Sequence, residues 1–509
     1  MERAFLRAAT RSRPPAWLGT VGIALAAGIM LGVAVSVASP LYVIAGLLGL
    51  SGYIYLLADV RNPLYGFIAV ATLLPFAVIP VKLGVVQFSL VEICLLTVVV
   101  LWLLRLLANR GETIRGSGID LPVLSYLAVC LAALVLGTAY QTTSSDLHLF
   151  AQFINALLLV FVVANCVRDL ATVTRLLWYL VLGGAVAGII AVVLYYLPAD
   201  TATRLLAGLS HFGYPASDIL QYDANTNVLK AIGTSIDHNI LGATMMICGT
   251  VGVGLLAASW PKGKKIWVIA ALGPILAALL LTYSRGSLVG FLCGCTVVAT
   301  LRYRRLWLIA GLMVVALALS GQLASSSFFT HLQTGIEVQD QATQMRFGEY
   351  KDALHLISEY PWFGVGFGNA PDVDIYLGVS SIYLMIPENV GLIGLACWVW
   401  IYATVFQKSW RGLIGRRQNE ARTLAVACLG AVVSILVAGI FDHHFVDIHF
   451  PHVAAMVWLM VGLLMVSLRI GEQLDAESEN GAGNASGDGQ LAVATLSSSH
   501  SGTNLRHSR

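Results

Sequence analysis

The chain consists mostly of apolar residues. It has 509 residues, of which 58% are hydrophobic and only 11% charged, and its mean hydropathy is +0.80. Soluble proteins carry about 25% charged residues, so the composition excludes an ordinary soluble domain. The formal net charge of +3 is too small to indicate a nucleic-acid-binding surface.

Long apolar runs recur along the whole chain, each close to the roughly 20 residues that cross a bilayer as a helix. The basic segment 1–16 precedes the first run, whose length favours an uncleaved helix over a signal peptide. We predict an all-α, polytopic membrane protein with about 14 transmembrane helices. The predicted spans are 17–37, 41–58, 64–82, 88–107, 121–139, 147–167, 172–197, 238–259, 266–283, 286–301, 306–323, 381–406, 421–441 and 450–468.

Lysine and arginine concentrate in alternate connections, for example RYRR at 302–305 and KSWRGLIGRR at 408–417. The positive-inside rule therefore predicts that both termini are cytoplasmic. Two connections on the opposite side are long enough to indicate functional loops. The tail is rich in Gly, Ser and Asn and is predicted to be disordered. The predicted regions are 1–16, 17–197, 198–237 (first long periplasmic loop), 238–323, 324–380 (second long periplasmic loop), 381–468 and 469–509 (cytoplasmic tail).

Several kinds of site have no signature in the sequence. The eight cysteines lie in apolar runs without CxxC or zinc-type spacing, so we interpret them as packing residues. We find no Walker loop, no GxGxxG before a helix and no GxSxG. The sequence therefore predicts neither a cofactor nor a metal site.

Cationic side chains are few on the predicted outer face. Arg285 lies at a tight turn, Arg346 opens an amphipathic helix in the second long loop, and Arg204 and Lys230 lie in the first. A guanidinium gives phosphate two parallel, permanently charged hydrogen bonds. These residues therefore predict a site for a lipid diphosphate.

Each arginine also has a structural interpretation. Arg285 can snorkel to the lipid headgroups. Arg346 can pair with Glu349 or Tyr350, since residues three and four apart share a face of a helix. The functional interpretation gains weight because several cations are predicted on one face.

The segment GIFDHHFVDIHFPH, residues 439–452, concentrates histidine and aspartate at the outer end of the last hairpin. A pair such as Asp442 and His443 suits general-base catalysis, because imidazole titrates near neutral pH. Polar capping and interfacial anchoring are the structural alternative, and the spacing matches no standard metal site. His238 follows Asp237 at a helix start, where N-capping by Asp237 is sufficient explanation.

Five segments resemble the bacterial O-antigen ligase and polymerase superfamily, the Wzy/WaaL-like integral membrane glycosyltransferases. They are KAIGTSIDHNILG (230–242), LTYSRGSLVG (281–290), MRFGEYKDALHLISEYPWFGVGFG (345–368), VSSIYLMIPENVGLIGL (379–395) and, more weakly, GIFDHHF (439–445). The resemblance implies a glycan donor on undecaprenyl diphosphate and a metal-independent transfer at the periplasmic face of the inner membrane. An acceptor sugar hydroxyl would displace the diphosphate.

The resemblance also implies roles for individual residues. Arg285 and Arg346 would hold the diphosphate and stabilise its leaving charge, and Lys230 stands where the family often has arginine. Ser380 and Ser381 stand where the ligases carry a His-Asn pair, so the ligase-type histidine is missing.

That loss favours a polymerase branch, in which a carboxylate such as Glu388, His443 or no strong base serves. The predicted catalytic residues are Arg285, Arg346, Glu388 and His443. The predicted substrate-binding residues are Lys230, Arg204, His238, Ser380, Ser381, Tyr383 and Asp442.

The sequence thus predicts a polymerase of exopolysaccharide or O-antigen repeat units. Its predicted partners are an undecaprenyl-diphosphate-linked oligosaccharide, membrane lipids, and a chain-length regulator and flippase of the same pathway. One alternative is a ligase that moves finished glycan to another acceptor. A transporter or flippase is the alternative from a different class, but charges in the middle of the spans, which a transporter needs, are almost absent.

Overall fold

The computed structural model describes residues 40–79, 87–108, 114–137, 142–223, 227–305, 307, 341–368 and 379–499. These residues form fourteen α-helices and one two-stranded antiparallel sheet. The helices are α1 (Pro40–Ala58), α2 (Asn62–Leu73), α3 (Leu90–Ala108), α4 (Asp120–Leu136), α5 (Ser144–Cys166), α6 (Leu170–Tyr196), α7 (Ala199–Ala207), α8 (His238–Leu256), α9 (Lys262–Leu281), α10 (Arg285–Leu301), α11 (Gln341–Glu359), α12 (Ile382–Leu413), α13 (Glu420–Ala438) and α14 (Pro451–Ser499). The strands are β1 (Gln221–Tyr222) and β2 (Leu229–Lys230).

The length and composition of these helices confirm the predicted all-α, polytopic membrane fold. Eight of the described helices (α3, α5, α6, α8, α9, α12, α13 and α14) are long and apolar enough to cross a bilayer. Shorter apolar helices include α2, α4 and α10. Two predicted spans lie outside the described residues. They are 17–37 and 306–323, and the structure describes residue 307 alone in the second. The predicted orientation of the termini stays a prediction.

The chain divides into two units, Met1–Asn62 and Pro63–Arg509. In the described part of the first unit, α1 is followed by a turn in which Arg61 pairs with Asp59 at 2.9 Å. The features described below all belong to the second unit.

The centre of the second unit consists of α8, α13 and α14, whose residues are mostly buried. Small residues allow α10 to lie against α13: a Cβ on Gly290 would meet the carbonyl oxygen of Ser434 at 2.5 Å. The hydroxyls of Thr250 and Ser434 join α8 to α13 at 3.1 Å. Close backbones and interhelical hydroxyl bonds are typical of helix packing in membranes.

Three predicted boundaries differ from the structure. The span predicted at 64–82 is a helix only to Leu73, because the residue before a proline, here Leu74 before Pro75, is disfavoured in the α conformation. Helix α12 extends beyond its predicted end to Leu413. Helix α14 continues through Ser499, into the segment that its composition predicts to be disordered.

The first long loop, residues 198–237, has structure of its own. Helix α7 and a 3-10 turn (Gly208–Phe212) lead to the β1–β2 hairpin, in which Gln221 pairs with Lys230. Leu206 of α7 belongs to a small apolar cluster with Leu194 and Ile232. The loop is thereby packed against the end of α6.

Candidate active site

Five segments meet at one end of the second unit. They are the connection from β2 to α8, the start of α10, helix α11, the start of α12, and the α13–α14 connection, residues 439–450. The Ile382 N–H of α12 donates to the Gly439 carbonyl at 2.9 Å. A Cβ on Gly286 of α10 would lie 2.9 Å from Asp442 Oδ2. The 439–450 connection therefore contacts both helices.

Helix α12 is interrupted near its start, and the preceding loop fills the break. Gly391 has φ 76° and ψ 178°, a conformation that suits glycine, and a Cβ there would collide with the Trp362 backbone. The Val365 and Gly366 N–H groups donate to the carbonyls of Glu388 and Asn389 at 2.8 and 3.0 Å. The PWFGVGFG segment, residues 361–368, therefore fixes Glu388 relative to α11.

Arg346 of α11 faces the 439–450 connection. Its Nη2 lies 3.8 Å from Asp442 Oδ1, and its side chain is 35% exposed whereas that of Asp442 is 6% exposed. Burial raises the pKa of Asp442 to about 7, although Arg346 and His443 favour its ionised form. Glu349 instead accepts the Ser380 N–H at 3.0 Å. Among the described residues Arg346 forms an ion pair with Asp442 and also acts electrostatically on Tyr350 of its own helix, so the same-helix interpretation of Arg346 stays a prediction.

His443 is paired with Asp447 in the same connection. Nε2 of His443 lies 3.3 Å from Asp447 Oδ2, and Asp447 Oδ1 lies 2.8 Å from His449 Nδ1. Burial opposes the charged imidazole, but Asp447 and the Asp442 carboxylate outweigh it and raise the pKa of His443. The pKa of Asp447 is lowered, because its bonds to the two histidines outweigh burial.

The remaining ring nitrogen of His443, Nδ1, has no hydrogen-bond partner among the described residues. Because Nε2 faces a carboxylate, we assign the proton of the neutral ring to Nε2 and the lone pair to Nδ1. That Nδ1 is also buried within the part of the chain that the structure describes. Glu388 Oε2 is likewise buried without a partner there, and His443 acts electrostatically on this carboxyl. An acceptor nitrogen and a carboxyl oxygen are thus left without a hydrogen-bond partner among the described residues.

Residues of the β1–β2 hairpin contact two of the predicted binding residues, Lys230 and His238. Lys230 Nζ lies 3.3 Å from Asp223 Oδ2, with both side chains largely buried. His238 Nδ1 lies 2.7 Å from Gln221 Oε1, and Arg346 acts electrostatically on His238. The hairpin therefore orients His238 toward the site and neutralises Lys230.

Asp237 accepts the Asn239 and Ile240 N–H groups at 2.7 and 3.1 Å. The N-capping interpretation of Asp237 is confirmed.

The other predicted site residues differ in their contacts and exposure. Ser381 is buried at the start of α12, with its hydroxyl 3.4 Å from the Gly439 carbonyl, and the Tyr383 hydroxyl donates to the Leu436 carbonyl at 2.9 Å. Both join α12 to the end of α13. Arg285 is half-buried at the start of α10 beside Gly286. Arg204 is exposed on α7, and no ion pair joins it to the site within the described residues.

Sequence reasoning missed Gln221 and Asp223, because their partners meet them only through the pairing of β1 with β2. The His443–Asp447 pair did have a signal, the i,i+4 spacing of the two residues. In the part of the chain that the structure describes, no three His, Cys, Asp or Glu side chains are grouped to hold a metal ion.

Comparison with known proteins covers part of this arrangement. Residues 270–399 match the sequence model of a family described as O-antigen ligase. These residues are therefore similar to that family. The predicted resemblance to the O-antigen ligase and polymerase superfamily is confirmed, and the matched range includes Arg285, Arg346 and Glu388.

Two curated relatives extend the comparison. An O-antigen ligase of Pseudomonas aeruginosa is 30% identical over 239 residues, which are 44% of this chain and 54% of the relative. The peptidoglycan glycosyltransferase RodA of Mycobacterium leprae is 27% identical over 214 residues, 39% of this chain and 44% of the relative. The chain therefore spans about half the length of the curated relatives it matches. The similarity supports a membrane enzyme of the glycosyltransferase type.

Proposed function

We propose that this protein is a polysaccharide polymerase of the bacterial inner membrane. It would transfer a glycan from undecaprenyl diphosphate to the hydroxyl of an acceptor sugar at the periplasmic face. The arrangement of Arg346, Asp442 and His443 carries the proposal. It combines a half-exposed guanidinium, a buried carboxyl and an imidazole with a free acceptor nitrogen at one end of the helix bundle.

Arg346 would bind the diphosphate. Its contact with Asp442 is a single, long one of 3.8 Å, so most of the donors of the guanidinium remain for a ligand. Asp442 holds the guanidinium in place, and its raised pKa lowers its competition with an incoming anion. Arg285, which begins α10 next to Gly286, would supply the second cation. Together the two arginines stabilise the charge that develops on the leaving group.

His443 would act as the general base. Nδ1 takes the proton of the acceptor hydroxyl while the hydroxyl oxygen bonds to the anomeric carbon. The bond from that carbon to the diphosphate oxygen breaks, and its electron pair leaves with the diphosphate. Asp447 orients the ring and stabilises the imidazolium that forms.

The branch of the superfamily is argued from Ser380 and Ser381. In the structure the Ser380 N–H donates to Glu349 and the Ser381 hydroxyl lies 3.4 Å from the Gly439 carbonyl, so the contacts of both residues position the start of α12. This supports a polymerase in which the base comes from the 439–450 connection. The ligase alternative has its own support, the similarity to the Pseudomonas aeruginosa O-antigen ligase.

A deletion strain distinguishes the two. Single repeat units on the final acceptor indicate a lost polymerase, whereas long polymer that remains on undecaprenyl diphosphate indicates a lost ligase.

The activity is tested with purified protein in liposomes that contain lipid-linked repeat units. We expect longer glycans from the wild type and almost none from H443A, while R204Q elongates normally as the matched control. Liposomes in which the protein moves the lipid across the bilayer without any elongation would exclude both enzyme functions.

A further inference from the structure

The end of the second unit opposite the candidate site contains an apolar groove. The two ends lie about 24 Å apart along α10, because an α-helix rises about 1.5 Å per residue. The groove lies between α10, α12 and α13, has a volume of about 340 Å³, and is lined almost wholly by apolar groups that include Leu301, Phe406 and Trp410. Its apolar lining suits a hydrocarbon chain.

A second cavity, of about 510 Å³, adjoins the groove and is basic. It shares Thr300 and Leu301 with the groove and is lined by Arg302, Arg304 and Arg305. The described residues that line it include no carboxylate. An anion is therefore the complementary ligand.

Arg302 and Ser409 have unused hydrogen-bond donors at this place. Arg302 donates from Nη1 to the neutral Gln418 Oε1 at 2.9 Å, which leaves its charge unbalanced, and its Nε is buried with no partner among the described residues. The Ser409 hydroxyl, which lines the groove, is also buried without a partner there. An unpaired buried donor is costly. A ligand is therefore favoured that offers one acceptor to Arg302 in the basic cavity and another to Ser409 in the groove.

We propose that these cavities bind an anionic phospholipid. One acyl chain lies in the groove, an ester carbonyl accepts from Ser409, and the phosphate lies among Arg302, Arg304 and Arg305. Basic pockets between transmembrane helices are suited to anionic headgroups. The site is independent of the proposed catalytic reaction, because none of its residues contributes to the candidate active site.

Native mass spectrometry of the full chain tests the site, with phosphatidylglycerol and phosphatidylcholine as probes in mixed micelles. We expect the wild type to retain phosphatidylglycerol preferentially. The triple variant R302Q/R304Q/R305Q should lower that preference at least about fivefold, since each basic residue near a headgroup adds to binding. The matched control K262Q/K264Q/K265Q removes two exposed lysines and one half-buried lysine from the start of α9 and should retain the wild-type preference.

Equal losses in the two triple variants would overturn the proposal in favour of general surface electrostatics. A second variant, T300W, fills the junction of the two cavities from an exposed position. We expect it to lower phosphatidylglycerol retention while its gel-filtration profile stays that of the wild type. Unchanged retention in T300W would overturn the proposal.

Discussion

Two arginine–aspartate pairs lie at opposite ends of the second unit and differ in how fully they are bonded. Arg422, at the start of α13, is 2% exposed and bonds both oxygens of Asp475 as well as the carbonyls of Gly412 and Arg417. Arg346 is 35% exposed and makes one contact of 3.8 Å to Asp442. Among the described residues, the first guanidinium has its donors occupied by the protein, whereas most donors of the second have no partner.

This difference separates a structural arginine from one available to a ligand. A buried charge persists when its donors are satisfied, and the cost of removing it appears as lost stability. A half-exposed guanidinium with unused donors contributes little to folding and much to the binding of an anion. Burial alone therefore does not identify the functional cation; the occupancy of its donors does.

The largest expected effect is a contrast between the two arginines: substitution of Arg346 lowers only activity, and substitution of Arg422 lowers only stability. R346K should lower polymer formation by about 100-fold without lowering the thermal unfolding midpoint, because lysine keeps the charge and loses the bidentate geometry. R422K should lower the midpoint by at least about 5 °C while the activity per folded molecule stays that of the wild type. Elongation assays and thermal unfolding of both purified variants check this, and a stability loss in R346K would remove the distinction.

The next effect concerns the break in α12. G391A places a Cβ against the Trp362 backbone at a positive φ, so the PWFGVGFG segment must move away from Glu388. We expect elongation to fall at least about tenfold, because misplaced groups lose orientation. G415A is the matched control: Gly415 also has a positive φ, of 68°, but a Cβ there meets nothing within 4 Å. It should cost about 1–2 kcal/mol in stability and leave the activity unchanged. Equal activity losses in the two variants would assign the effect to backbone strain.

A smaller effect is expected in the pH profile. The base must be neutral, and the pKa of His443 is raised above its ordinary 6.5, so activity should rise as the pH rises through a midpoint above that value. D447N removes the carboxylate that favours the imidazolium. The acidic limb should therefore shift to lower pH while the plateau falls on the order of tenfold. Reaction rates measured from about pH 5 to about pH 9, the range in which an imidazole titrates, check this prediction. A lower plateau with an unshifted limb would contradict the role of His443.

The smallest effects are expected at two predicted binding residues whose side chains have no bond to Arg346, Asp442 or His443 among the described residues. R204Q changes an exposed side chain on α7, and Y383F removes one hydrogen bond to the Leu436 carbonyl. Elongation should change by less than about twofold in both, and Y383F should cost about 1 kcal/mol. A large activity loss in R204Q would bring α7 into the site.

Most of the described helices could be predicted from sequence, because an apolar run near the length of a bilayer crossing is a local signal. The end of α2 at Leu73 is predictable in principle from Pro75, whereas the length of the apolar run alone predicts a longer helix. The break at Gly391 is not predictable, because the groups that fill it belong to the PWFGVGFG segment. A contact between separate parts of the chain leaves no local pattern.

The candidate site was predictable in part for the same reason. Arg346, Asp442 and His443 each had a chemical signal, and the structure brings them together. Lys230 had the same kind of signal, but its pairing with Asp223 depends on the β1–β2 hairpin and neutralises its charge. Residue type indicates what a side chain can do, while the charge left available depends on the neighbours that the fold supplies.

The contact between the PWFGVGFG segment and α12 also has a consequence for biosynthesis. The carbonyls of Glu388 and Asn389 receive hydrogen bonds from residues 365 and 366, which are synthesised before them. An unpaired carbonyl in a bilayer is costly, and here its partner already exists when α12 emerges from the ribosome. The pair of α11 and α12 can therefore close before the residues that carry Asp442 and His443 are made, and these then pack onto a surface that is already formed.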